Sequence, residues 1–439
     1  VVALSVRVGL GHGPASSAFS CSLPLAVVSL VLAGHGLRER SGRWASAGGL
    51  VLNLAVSLGW LLARRDASGM TGAADWVRLV QLNALVFAGV ALAWLGVRAF
   101  APRRGDESTS QAGNDLLDVQ VGLAVLANAI PLVLAGFLLF LHPARPALWV
   151  VEWGRVWGWL ALGAAAVAAT WWWNPRGEAR RVLPVGAALL GAAFLIACSA
   201  AGQDTGNWLA FHTWLVALAG AAWAMVPVAA HPGLRAEAEW WARLPGALLV
   251  VVALRGLEGD PARPWWSMVA LVVAGGLAAA LAATTRKRSY LYAAGPLLNV
   301  AATAAYVINL PPVPLTDLAG INVLALALPG LAWLALELRL FSREAPERPP
   351  ALPPFHHVAA LGSVLALAVA TALGLQADAV GGALHSDVLV GWLAWGAAVL
   401  LMAACLWDAR ATYAVGGLYA LGLVGAGLVL DQCDPDPGW

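Results

Sequence analysis

The sequence has very little charge. Only 11% of its 439 residues are charged, against about 25% in an average soluble domain. The net charge of +2 gives no basis for nucleic-acid binding, and lysine occurs once, at Lys287. Hydrophobic residues make up 60% of the chain, and apolar runs of about 20 residues recur along it. The composition therefore excludes a soluble globular protein and predicts an all-α, polytopic integral membrane protein.

Cysteine is scarce too. The four cysteines form no CxxC pair and no Cys/His ligand spacing; they are Cys21, Cys198, Cys405 and Cys433. The adjacent His356 and His357 are expected to point in different directions on a helix, which makes a poor shared metal site. We predict no metal and no cofactor, but expect bound lipids. A P-loop, a zinc-protease helix and a GxSxG elbow are also missing, so the sequence predicts no catalytic residues.

The apolar runs predict fourteen transmembrane spans. The spans are expected to be helices, because backbone groups in hydrocarbon must be hydrogen-bonded within the segment and no stretch alternates like a barrel strand. The predicted spans are residues 19–36, 48–64, 76–98, 117–141, 149–173, 182–201, 207–230, 240–256, 265–284, 291–309, 317–340, 356–375, 387–407 and 412–430.

The orientation follows from the arginines. Most of them lie in the loops after odd-numbered spans, so the positive-inside rule predicts that these loops are cytoplasmic and that residue 1 lies outside. We expect the bacterial cytoplasmic (inner) membrane. The chain is also rich in tryptophan, with 23 residues, and anchoring at the headgroup level explains most of them.

An internal repeat organises the chain. Residues 49–56, GLVLNLAV, return as residues 295–302, GPLLNVAA, and further short matches follow in the same order at slowly decreasing offsets. We infer a unit of eight helices in residues 1–257 and a second, incomplete copy in residues 258–439. An even number of spans places both copies in the membrane in the same direction. The interrupted second copy leads us to expect a longer polypeptide, with further repeats as partners.

Asparagines occupy equivalent positions in the two copies. Two pairs match, Asn53 with Asn299 and Asn83 with Asn322, and Asn128 lies in mid-membrane. A polar site in each copy is one interpretation, and hydrogen bonds between helices are the other. Asn53 and Asn83 differ in predicted depth by about 10 Å, at 1.5 Å per residue along a helix. One shared polar site is therefore disfavoured, and hydrogen bonds between helices are favoured. A proline at residue 131 can break the helix that carries Asn128, although a simple kink is favoured.

Ionisable side chains recur at the outer end of the fifth span. Glu152 and Arg155 lie one turn apart, and His385 with Asp387 takes the corresponding place in the second copy. These four residues are candidates for an outward-facing vestibule. The simpler interpretation, an ion pair at the membrane surface, is favoured.

Three functions stay open. A non-catalytic scaffold or accessory subunit of a membrane assembly is favoured, because no charged residue falls clearly in the middle third of any span. A transporter or flippase for a neutral or lipidic solute is the alternative, and a lipid-active membrane enzyme is the third candidate. The expected partners are membrane lipids and other membrane subunits, with no nucleic acid.

Overall fold

The fold was analysed in a computed structural model. It describes residues 18–39, 41–67, 72–100, 107–144, 146–173, 178–203, 208–261, 264–309, 315–341, 353–379, 388–407 and 413–433. All regular structure in these residues is helical, and none of them forms a strand. The prediction of an all-α fold is confirmed.

The described residues form sixteen helices. In chain order they are α1 (Ala18–Arg38), α2 (Gly42–Ala67), α3 (Ala73–Phe100), α4 (Glu107–Leu141), α5 (Leu148–Trp153), α6 (Val156–Trp173), α7 (Glu178–Ala201), α8 (Leu209–Ala224), α9 (Val226–Ala229), α10 (Arg235–Gly259), α11 (Trp265–Thr285), α12 (Ser289–Asn309), α13 (Leu315–Phe341), α14 (Phe355–Ala379), α15 (Val388–Trp407) and α16 (Tyr413–Cys433).

Eleven segments of the described chain are long and apolar enough to cross a membrane. They are α2, α3, α4, α7, α8 together with α9, and α10 to α15. The helices α1 and α16 carry shorter apolar stretches, Ser22–Arg38 and Tyr413–Gly427. With α6, these helices coincide with the fourteen predicted spans. A membrane-embedded protein is therefore supported, while fourteen crossings remain a prediction.

The chain divides into two compact units. The first comprises Val1–Ala221 and Ala236–Trp241, and the second comprises Ala222–Arg235 and Ala242–Trp439. In the first unit, α1 packs on α2, α3 packs against α2, α4 and α6, and α7 packs against α4 and α6. In the second unit, α11 packs on α12, α13 packs against α12, α14 and α15, and α16 packs against α14 and α15.

Small residues lie where three helices meet within each unit. In the first unit, Ala88 of α3, Ala124 of α4 and Ala165 of α6 are almost fully buried together. In the second unit, Ala327 of α13 and Ala398 of α15 are both fully buried. Apolar side chains gain little by leaving a lipid environment, so close backbone approach through small residues is the main source of packing between such helices.

Two of the predicted continuous spans are interrupted. The fifth is divided into α5 and α6 at Gly154 and Arg155, and the seventh is divided into α8 and α9 at Met225. Residue 227 is a proline without a backbone N–H, which accounts for the second interruption. The interruption between α5 and α6 contains no proline. There, Gly154 lies so close to α7 that a Cβ atom would come within 2.2 Å of the Ser199 nitrogen.

Candidate functional site

The first pair of repeated asparagines bonds within its own helix. The Asn53 side-chain amide donates to the Gly49 carbonyl at 3.2 Å, and the Asn299 amide donates to the Gly295 carbonyl at 3.1 Å. Each amide thus returns one turn along its own helix. The two asparagines therefore make the same contact in the two units.

The second pair of asparagines joins two helices. Ser57 of α2 donates its hydroxyl to Asn83 Oδ1 of α3 at 3.0 Å. In the second unit, Thr303 of α12 donates to Asn322 Oδ1 of α13, also at 3.0 Å. We call these contacts the hydroxyl–amide pairs.

The asparagines of the two hydroxyl–amide pairs also make the same backbone hydrogen bond. The amide nitrogens of Asn83 and Asn322 both donate at 2.8 Å to the carbonyl four residues earlier. Ser57 and Thr303 were missed in the sequence. The available signal was their position, because each lies one helical turn after a repeated asparagine and therefore on the same face.

Asn128 joins α4 to α6. Its amide nitrogen donates to the Ala124 carbonyl at 2.8 Å and to the Ala161 carbonyl of α6 at 3.4 Å. The helix α4 continues through Pro131 to Leu141. Pro131 therefore leaves α4 as one helix, and Asn128 contributes to helix packing.

A buried carboxylate lies at the interruption between α5 and α6. Glu152 Oε1 is 3.0 Å from Arg155 Nη2, and Glu152 Oε2 is 3.3 Å from Arg78 Nη2 of α3. The Glu152 side chain is 10% exposed, Arg78 29% and Arg155 56%. Two guanidinium groups therefore compensate one carboxylate, and Arg78 is its more buried partner. The sequence analysis missed Arg78, which lies 74 residues from Glu152.

Polar side chains from α3 and α7 bind the carbonyls at this interruption. Gln81 of α3 donates to the Glu152 carbonyl at 3.2 Å, and Ser199 of α7 donates to the Gly154 carbonyl at 2.7 Å. An unpaired carbonyl in hydrocarbon costs several kcal/mol, roughly, so such partners are required where a helix is broken at depth. The Glu152 site is thus an ion-pair and hydrogen-bond cluster that holds a broken helix.

The second half of the predicted vestibule cannot be compared with the first. His385 and Asp387 lie outside the residues that the structure describes. Their correspondence to Glu152 and Arg155 stays a prediction.

A cavity in the first unit is lined mainly by apolar residues and lies among α1, α2, α3 and α4. It has a volume of about 240 Å³ and contains one amide side chain, that of Gln120. Gln120 is 3% exposed, and its Oε1 has no hydrogen-bond partner among the described residues. A cavity with this lining suits a small apolar molecule that carries one hydrogen-bond donor.

A more open groove of about 740 Å³ lies between α6 and α7. Small residues line it from both helices, among them Gly163, Ala166, Ala188 and Ala192. A Cβ atom at Gly163 would meet nothing within 4 Å. Ala188 and Ala192 are four residues apart, and small residues at this spacing are typical of surfaces on which another transmembrane helix packs closely.

Metal-ligating side chains meet in the second unit. His356, His357 and Cys405 place one ligand atom each within 4.8 Å of one another. The two imidazole rings, which we expected to diverge, have centroids only 4.3 Å apart. These residues belong to the first turn of α14 and the end of α15, so the sequence separates the cysteine from the histidines by about 50 positions.

No protein-family model, no curated protein and no solved structure matches the chain.

The Glu152 cluster gives a direct prediction. Arg78→Met is expected to lower the free energy of unfolding by about 2–3 kcal/mol, because it leaves a buried carboxylate with one half-exposed partner. Arg155→Met removes the more exposed guanidinium and is expected to cost less than about 1 kcal/mol. Unfolding of the purified chain in mixed micelles by increasing denaturing detergent measures both. Equal losses in the two variants would contradict the assignment of Arg78 as the main partner.

Proposed function

We propose that the chain is a non-catalytic scaffold or accessory subunit of a membrane assembly, located in the cytoplasmic membrane with the loops after odd-numbered spans inside. One observation carries the proposal: the membrane-embedded asparagines and Glu152 all bond to the protein's own helices. Asn53, Asn83, Asn128, Asn299 and Asn322 each donate to a backbone carbonyl of their own helix. Asn83, Asn128 and Asn322 also bond to a neighbouring helix, so these predicted polar sites contribute to helix packing.

The outer faces of the helices agree with this role. In α12 only Leu291, Ala294, Gly295 and Ala301 are buried, and leucines such as Leu389 and Leu393 of α15 are more than half exposed. Such faces can contact lipid chains or the helices of other subunits. We assign a partner helix to the α6–α7 groove, because small residues lie in both of its walls, Gly163 and Ala166 on α6 and Ala188 and Ala192 on α7.

The tandem repeat belongs to the same proposal. The six helix contacts named for the second unit each have a counterpart in the first, when α1, α2, α3, α4, α6 and α7 are matched in order with α11 to α16. The hydroxyl–amide pairs lie at matching places in this scheme. Both observations support about fourteen spans built from one duplicated eight-helix unit. A scaffold gains from repetition, since each copy offers a similar apolar surface.

A transporter or flippase for a neutral or lipidic solute is the second candidate. The 240 Å³ cavity with the buried Gln120 side chain favours it. A lipid-active membrane enzyme is third, and the cluster of His356, His357 and Cys405 is the observation that favours it.

The scaffold proposal is tested with a photo-crosslinking residue at Ala188 in the α6–α7 groove, introduced into the chain in its native membrane. We expect one discrete protein product of constant mass from Ala188, and mainly lipid products from a control probe at Leu393 on an outer face. In parallel, the purified chain in liposomes is expected to leave the rate of labelled-lipid exchange between leaflets unchanged.

Two results count against the scaffold. Crosslinks from Ala188 to lipid alone would remove the assigned partner helix. Accelerated lipid exchange by the purified chain would instead favour the flippase, especially if Gln120→Leu abolished the acceleration.

The repeat makes a separate energetic prediction. A double-mutant cycle of Ser57→Ala with Asn83→Ala, and another of Thr303→Val with Asn322→Ala, should give similar coupling energies of about 0.6 kcal/mol and at most about 1.7 kcal/mol. The unfolding free energy in mixed micelles provides the measurement. A coupling in one unit and none in the other would show that the two pairs are not equivalent.

A further inference from the structure

We propose that His356, His357 and Cys405 bind one thiophilic d10 metal ion, Zn²⁺ or Cu⁺. Their ligand atoms already lie within 4.8 Å of one another, and they come from two helices of the second unit. A tetrahedral zinc site has Zn–N distances of about 2.0–2.1 Å and a Zn–S distance of about 2.3 Å, which places its ligand atoms roughly 3.3–3.8 Å apart. Side-chain movements of about 1 Å close the difference.

The chemistry of the three ligands is selective. Two imidazoles and one thiolate form a borderline-soft set that suits Zn²⁺ and copper and disfavours Mg²⁺ or Ca²⁺, which require oxygen ligands. His356 is 2% exposed and Cys405 is fully buried, so the site would be shielded from bulk water on that side. A buried ligand set of this kind differs from a surface cluster that binds ions only weakly.

Neighbouring groups hold the ligands in place. The His357 Nδ1 atom is hydrogen-bonded to the Tyr413 hydroxyl at the start of α16. Without a metal, the Cys405 thiol donates towards the His356 carbonyl oxygen at 3.8 Å, which positions the sulfur; this proton is released when the thiolate binds the ion. A ligating histidine in a metal site commonly uses its other ring nitrogen in this way, which fixes the orientation of the ring. The contact to Tyr413 therefore assigns that residue a positioning role and brings a third helix to the site.

The first unit has a different side-chain contact at the position that corresponds to this cluster. With the offset of 233 that pairs Gly158 with Gly391, Cys405 corresponds to Trp172, and with the offset of 239 that pairs Asn83 with Asn322, His357 corresponds to Asp118. Trp172 Nε1 donates to Asp118 Oδ1 at 2.5 Å. A tryptophan–carboxylate hydrogen bond thus joins α4 to α6 where histidine and cysteine join α14 to α15. This comparison depends on the proposed repeat, whereas the ligand geometry does not.

The test uses the full chain, purified in detergent without an affinity tag and freed of metal by chelation. Titration with Co²⁺ is expected to give one ion per chain, with a thiolate-to-cobalt charge-transfer band and the visible bands of a tetrahedral site. Zn²⁺ should displace the cobalt. A second titration with Cu⁺ under anaerobic, reducing conditions against a competing chelator decides which of the two ions binds more tightly.

Matched variants make the result specific. Cys405→Ser should remove the charge-transfer band and weaken binding by more than about 100-fold, because a ligand is lost. Tyr413→Phe should weaken binding by about 10–100-fold, because only a residue that positions a ligand is changed. Cys198→Ser, which changes the other described buried cysteine, should leave the band unchanged. His357→Gln provides a second ligand variant if Cys405→Ser does not fold. The proposal is overturned if the chain shows no saturable binding, or if the charge-transfer band persists in Cys405→Ser. If Cys405→Ser does not fold, an unchanged cobalt affinity in His357→Gln overturns it.

Discussion

Polar groups inside a bilayer have no bulk water to bind, so their hydrogen-bond partners come mainly from the protein itself. This constraint accounts for most of the specific contacts in the described structure. The asparagine amides return to carbonyls of their own helices, and Ser57 and Thr303 bring a hydroxyl to the neighbouring helix. At the interruption of the fifth span, Gln81 and Ser199 bind the carbonyls of Glu152 and Gly154. The polar side chains thus determine which helices lie together, and small residues allow them to approach.

The two units satisfy the same constraint with related but different residues. Both have a hydroxyl–amide pair between their second and third long helices. In the first unit, Gln81 of α3 reaches the carbonyl of Glu152, whereas the second unit has Gly320 at the corresponding position, beside Val390 of α15. Such differences are expected if one copy took on a specialised task. The cluster of His356, His357 and Cys405 in the second unit is the clearest example.

Hydropathy alone was sufficient to predict the helical fold and the approximate ends of the helices, because the length of an apolar run is set by the membrane thickness. The breaks were harder to predict. Gly154 ends α5 without a proline, since the cause is its close approach to Ser199, 45 residues away. Arg78 and the Cys405 thiol were missed for the same reason: their partners are distant in sequence and become neighbours only when the helices pack. Asn83 and Asn322 were identified because they occupy equivalent positions in the predicted repeat.

The central claim is that one unit was duplicated and that both copies enter the membrane in the same direction. It is tested most directly by single-cysteine labelling in a cysteine-free chain, with Arg43→Cys in the first turn of α2 and Ser289→Cys at the first residue of α12, which are equivalent positions. His142→Cys at the end of α4 serves as the marker for the opposite side. We predict that a membrane-impermeant maleimide added outside intact cells labels His142→Cys alone, and that Arg43→Cys and Ser289→Cys react only after the membrane is opened. Labelling of Ser289→Cys from outside, with Arg43→Cys protected, would contradict the parallel duplication.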